Sequence, residues 1–354
     1  MSSDDAGSPA PEGWRPPYLG CFLALVLIGV GGAYAFKQAN STGRSDSQLS
    51  ASQEPRVTRQ GALSVSFSAQ GALYLVDEVG QPWRVRSGVP QKTIVTKARG
   101  PYDAAAATPV SAVLVREGGG LDVLNLRSGE AVGVEHDELS FTLCALAEER
   151  EAFVVSYAVA SVTSDSVFYT SGVPELPSWT RSSGRGVCRS LALSDDLVAA
   201  GSAQGHVTLL DRASGGVVRT LRAPGRSEAV VALAFHPDGT RIAAALEKGF
   251  VIWSVKDEVP ALVSQVFTSR LTAIGLSEGS LLAVGTAGGD LSLFDLGSPQ
   301  TELRTFSLDL RGESIVEPRP VRSIAFSGLK VAWAIGDRFC TYEFPVDPSP
   351  AGGR

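Results

Sequence analysis

Sulfur and imidazole are scarce in this chain. Its 354 residues hold one methionine, three histidines (His136, His206, His236) and four cysteines (Cys21, Cys144, Cys188, Cys340). No C-x-x-C pair and no H-E-x-x-H occurs, and no two of these residues stand at zinc-ligand spacing, so no metal site is expected. Nucleophile and phosphate signatures are missing as well: there is no G-x-S-x-G elbow, no G-x-x-x-x-G-K-[ST] loop and no calcium-loop pattern. The expectation is no catalytic residue and no cofactor. Blocks of positive charge are also lacking. Lys plus Arg is 31 against 37 for Asp plus Glu, a net charge of −6, which argues against nucleic acid as a partner.

The polar residues that remain read most simply as turns. Asp195-Asp196 is a solvated pair between two strands, and Glu148-Glu149-Arg150-Glu151 a charged hairpin turn. Gly118-Gly119-Gly120 separates two strands and reads as a turn rather than an anion cradle. His206 opens a strand and His236 occupies a turn. Three cysteines lie outside the long apolar run. Free buried thiols and a reducing compartment are the favoured reading; one disulfide with one free thiol is the alternative.

What the chain does have begins with a single long apolar segment. Residues 18–36 run for 19 positions without a charge, about 28 Å as a helix, close to the hydrocarbon thickness of a bilayer. Trp14 and Tyr18 precede it and Tyr34 and Phe36 close it, as aromatic belts do. We read 1–17 as a polar tail, 18–36 as a transmembrane helix contacting the lipid bilayer, and 37–55 as a flexible Ser/Gln-rich linker. A retained single-pass anchor is favoured because the segment before the run is not basic. The alternative is a signal peptide cleaved near Ala35, within the small-x-small triplet Ala33-Tyr34-Ala35. Arg15 on one side against Lys37 and Arg44 on the other leans the following domain toward the cytoplasm.

With 44% apolar residues, 38 glycines and 20 prolines, the remainder reads as a packed domain of short strands and turns. It is also periodic. A strand ending in a small or polar residue recurs as SVSFS (64–68), AAAAT (104–108), CALA (144–147), LALS (191–194), LAFH (233–236), IGLS (274–277) and IAFS (324–327). The last residues of these seven anchors are separated by 40, 39, 47, 42, 41 and 50 positions. That spacing suits four-stranded blades and not helical repeats of about 34 residues. Each anchor is followed by further strand-like runs separated by Gly-containing turns, for example LVAAGS, HVTLLD and VVRTL after Ser194. The fold class is therefore all-β: a seven-bladed β-propeller of four-stranded antiparallel blades over 56–346, with 347–354 a tail. The last unit supplies only three strands. The segment 56–60, with a β-branched centre, is the candidate for its missing outer strand.

The run GRSEAVVALAFHPDG at 225–239 resembles the loop, first strand and turn of WD-repeat β-propellers, with Arg226 where that family usually has His. The Trp-Asp position is filled by Leu210-Asp211, Trp253-Ser254, Phe294-Asp295 and Leu124-Asn125. The resemblance is strong over 187–308, fair over 320–346 and weak over 61–180, and the family's Asp–His–Ser–Trp tetrad is complete in no unit. These blades are therefore expected to rest on apolar packing. The resemblance implies a noncatalytic scaffold that binds protein partners. The alternatives are an exported envelope-assembly scaffold or a cofactor-dependent or hydrolytic propeller enzyme. It further implies that residues near the start of each innermost strand face one rim and contact ligands. Aligning the units places Arg189, Thr272 and Arg322 at one such position, with Arg270 two residues earlier in its unit. Arginines there suit carboxylate-bearing partners.

Overall fold

Turn residues every five to ten positions break the chain into strands too short for anything but local hairpins, and hairpins of one kind repeat. The computed structural model describes residues 55–344 except 69, 94–99, 118, 135–142, 147–155, 161–165, 172–177, 183–185, 225–227, 264–266, 297–301, 308–318 and 337. These residues form seven four-stranded antiparallel sheets. Six are made of consecutive strands: blade 1 (64–92), blade 2 (102–134), blade 3 (143–182), blade 4 (188–222), blade 5 (232–263) and blade 6 (271–306). The first strands of neighbouring blades touch all the way round, including the last with the first, so they form the innermost ring. Among the described residues no helix is long and apolar enough to cross a membrane. The run 18–36 lies outside them, as do the linker up to 54 and the tail 347–354.

Blade 7 closes the ring. Its inner three strands are Val321–Ser327, Lys330–Ile335 and Arg338–Glu343; its fourth is Arg56–Thr58, from the other end of the domain. Val57 pairs with Cys340, flanked by Arg56 with Thr341 and Thr58 with Phe339. This is the outer strand expected from 56–60. Cys340 is fully buried beneath it. Cys144, Cys188 and Cys340 are all free, and burial pushes each thiol up to about 12.

The described residues of all seven anchors belong to innermost strands or the turns that end them, and for five anchors the structure gives the reason for the last residue. Ser68 Oγ, Thr108 Oγ1, Ser194 Oγ and Ser277 Oγ accept the backbone N–H of Ala72, Ser111, Leu197 and Leu281 at 3.0–3.2 Å. His236 holds the same position, its Nδ1 2.7 Å from the Asp238 carboxylate. Each closes the tight turn into the second strand, where a small polar side chain can reach back to the main chain. The second residue of the Trp-Asp position does the same between the third and fourth strands. Asn125 Oδ1 accepts from Arg127 N–H at 2.8 Å, and Asp211 Oδ1 accepts the amide and hydroxyl of Ser214 at 2.7 and 2.6 Å. Those two donors hold the Asp211 carboxyl below its usual range.

Wedge geometry sets the core. Near the axis the blades crowd, and their second strands supply alanine: Ala112, Ala158, Ala199, Ala243, Ala283 and Ala332 are fully buried. Larger side chains fill the rest of the gaps between blades, including Trp253 between blades 4 and 5 and Trp333, stacked on Phe306 at 5.6 Å, between blades 6 and 7. The indole N–H of both tryptophans is buried without a hydrogen-bond partner among the described residues. An unmet buried donor costs roughly 1–3 kcal/mol, so apolar packing holds these blades, as the incomplete tetrads imply.

Two expected outcomes follow. A Cβ on Gly285, in the second strand of blade 6, would lie 2.5 Å from Val321 Cβ of blade 7. G285A should therefore lower the unfolding free energy by about 1–3 kcal/mol, read by urea denaturation. Deleting 56–58 should uncover Cys340 and make it react with a thiol reagent, located by mass mapping. An inert Cys340 with unchanged stability would show that the closing strand is dispensable.

Candidate functional site

The rim at the start of the innermost strands is built by a repeated irregularity. In blades 2, 4, 6 and 7 the ladder between first and second strands slips by one residue, leaving Asp103, Arg189, Thr272 and Arg322 as the extra residue of a bulge. In blades 1, 3 and 5 the described ladder is regular at this end. A bulge bends its strand and re-aims one side chain out of the alternation. Each of the four lies five positions before its anchor (Thr108, Ser194, Ser277, Ser327), which is why aligning anchors brought Arg189, Thr272 and Arg322 together. The same count reaches Asp103, which sequence reasoning missed because the AAAAT anchor is weak.

The four do not share one environment. Arg189 and Arg270 are exposed, with no carboxylate partner among the described residues. Arg322 reaches across the seam: its Nη1 donates to Glu78 Oε1 of blade 1 at 2.8 Å, with both side chains partly in water. Thr272 turns inward instead, its hydroxyl donating to the Val321 carbonyl of blade 7 at 2.8 Å. Equivalent stitches join other blades. Ser190 Oγ donates to Val230 C=O at 2.9 Å, and Ser323 Oγ accepts from Val65 N–H at 3.3 Å. Main-chain bonds from Tyr102 to Glu78 and from Leu271 to Glu247, each 2.9 Å, lie along the same rim.

Its charge is divided rather than uniformly basic. Glu78, Asp103 and Glu117 are exposed on blades 1 and 2, whereas Arg189, Lys248 and Arg270 are exposed across blades 4 to 6, with Glu247 beside Lys248. Beneath the acidic sector Tyr102 donates its hydroxyl to the buried Asp122 carboxylate, and Arg116 Nε lies 3.6 Å from the other oxygen. All three residues belong to blade 2.

No catalytic grouping emerges at the remaining candidates. Asp195 and Asp196 occupy an exposed turn, and His206 opens the third strand of blade 4. His236 is buried on the opposite rim, Nδ1 2.7 Å from Asp238 Oδ1 and Nε2 3.2 Å from the Gly279 carbonyl of blade 6. Asp238 is pushed down to about 2, chiefly by the Thr240 hydroxyl and amide and then by His236. Among the described residues no group of three or more His, Cys, Asp or Glu could hold a metal ion. His136, Arg226 and 148–151 lie outside those residues.

Fold and rim together define a seven-bladed β-propeller of four-stranded blades. Residues 190–271, spanning blades 4 and 5, match the family model of the anaphase-promoting complex subunit 4 WD40 domain, and with the fold this supports a WD-repeat propeller. Propellers of this type are typically noncatalytic binding platforms. No curated protein matches the chain.

The two kinds of rim residue are separable by stability. T272V removes a stitch between blades and should cost about 1 kcal/mol. R189A/R270A should stay within about 0.5 kcal/mol of the parent for each site. Urea denaturation of both variants checks this; equal losses would place the arginines in the fold rather than on its surface.

Proposed function

We propose that the chain is a membrane-anchored, noncatalytic propeller scaffold that captures protein partners on the rim carrying Arg189, Arg270 and Arg322. The observation that carries this reading is the exposed pair Arg189 and Arg270, held on equivalent stretches of a stitched rim without carboxylate partners among the described residues. An exposed guanidinium fork can bind a carboxylate bidentately. Thr272 serves the same surface by holding blade 6 to blade 7 beneath it. Arg322 contributes only when a partner's carboxylate competes with Glu78.

Anchoring is supported by the 19-residue apolar run and the linker that joins it to Pro55. The Lys/Arg count on its two sides favours a cytoplasmic propeller. The incomplete chemistry for metals and nucleophiles favours binding over catalysis.

An affinity pull-down from detergent-solubilised membranes tests the reading, with R189A/R270A/R322A beside the parent chain. The triple variant should retain its fold by circular dichroism and lose most of its captured partner. Undiminished capture by the well-folded variant removes this rim from consideration.

A further inference from the structure

Charge is unevenly placed along a chain whose net charge is −6. From 55 to 100 there are seven Lys or Arg and two acidic residues, Asp77 and Glu78. Both acids are engaged elsewhere. Asp77 is buried, its Oδ2 accepting from Trp83 Nε1 at 2.8 Å, and Glu78 sits on the rim with Arg322.

The fold gathers the described cations of this stretch at one place on the circumference. Arg56 and Arg59 belong to the closing strand of blade 7 and the residues just after it. Arg84, Arg86 and Lys92 belong to the two outer strands of blade 1, Pro82–Arg86 and Val89–Lys92. The Arg56 guanidinium bridges the two blades, lying 3.8 Å from where a Cβ on Gly88 would stand, in the blade 1 turn after Arg86. Lys92 Nζ lies over the Trp83 ring at 5.3 Å, and Arg84 over Tyr74 at 5.7 Å, which hold these stems against the sheet. Among the described residues none of Arg56, Arg84, Arg86 and Lys92 has a carboxylate partner. Val57 and Val89 are exposed between them, at 42% and 58%.

We infer that this outer edge of blades 7 and 1 docks on the anionic headgroup layer of a membrane. The inference rests on the anchor proposed above and adds a second contact to it. Two features favour lipid over an acidic protein segment. The patch stands where the linker enters the propeller, 19 residues after the apolar run ends at Phe36. Nineteen residues reach no more than about 65 Å even when fully extended, so an inserted run keeps this edge within reach of the bilayer. The patch is also spread along the outer strands of two sheets, which suits a flat layer of negative charge. Basic residues near such a layer gain a few-fold in binding apiece, and the gain falls off within a Debye length.

The full chain is reconstituted into vesicles of neutral phosphatidylcholine and into vesicles with about 30% phosphatidylglycerol, and amide exchange is followed over 55–60 and 82–93. Exchange on the anionic vesicles should be about fivefold slower, and about 0.5 M salt should abolish the difference. R56Q/R86Q/K92Q should abolish it too without lowering the melting temperature; Arg84 is left in place because of its stacking. Equal exchange on both vesicles, with the chain floating on each, overturns the patch and leaves the anchor standing. Flotation with anionic vesicles alone removes the anchor and upholds the patch, and flotation with neither overturns both. Protection by added polyglutamate but not by anionic vesicles assigns the edge to an acidic protein segment and overturns the membrane assignment.

Discussion

Everything in this propeller depends on three residues, Arg56 to Thr58, lying against Cys340 and its neighbours. Each other blade is a meander closed by short turns, and a meander can form from local contacts alone. The ring cannot. Its last sheet needs a strand from more than 280 positions away in the sequence, so the entropy of a long loop is settled at a single seam. Once that pairing is made, the innermost strands share out their neighbours around a closed circle and no inner sheet edge remains open to aggregation.

Closure then dictates side-chain size by radius. Six of the seven second strands carry a fully buried alanine where wedges crowd, and tryptophan, phenylalanine and leucine fill the remaining gaps between blades. The indole N–H groups of Trp253 and Trp333 are buried without a hydrogen-bond partner among the described residues. Hydroxyl stitches from Ser190, Thr272 and Ser323 join neighbouring blades near the axis. They make the bulged rim a fixed surface, which is what a binding platform requires.

Two surfaces of opposite logic result. The rim alternates by sector, acidic over blades 1 and 2 and largely basic over blades 4 to 6, so an acidic partner would be oriented as well as attracted. The outer edge at the seam is basic throughout its described length. Because Glu78 is committed to Arg322, it does not dilute that edge.

By itself the sequence determined the architecture: seven blades, their innermost strands and the closing strand were legible. The physical reason is that turn chemistry is local. Ser68, Thr108, Ser194, His236 and Ser277 each cap a turn two to four residues away, so their spacing in sequence is the spacing of blades in space. The same locality made Arg189, Thr272 and Arg322 equivalent by spacing alone, and hid Asp103 behind a weak anchor. Only the tertiary structure decided what those residues do. Arg322 meets Glu78 from 244 positions away, and Thr272 bonds a carbonyl 49 positions on, because blade curvature brings those groups together and no pattern within one unit encodes it.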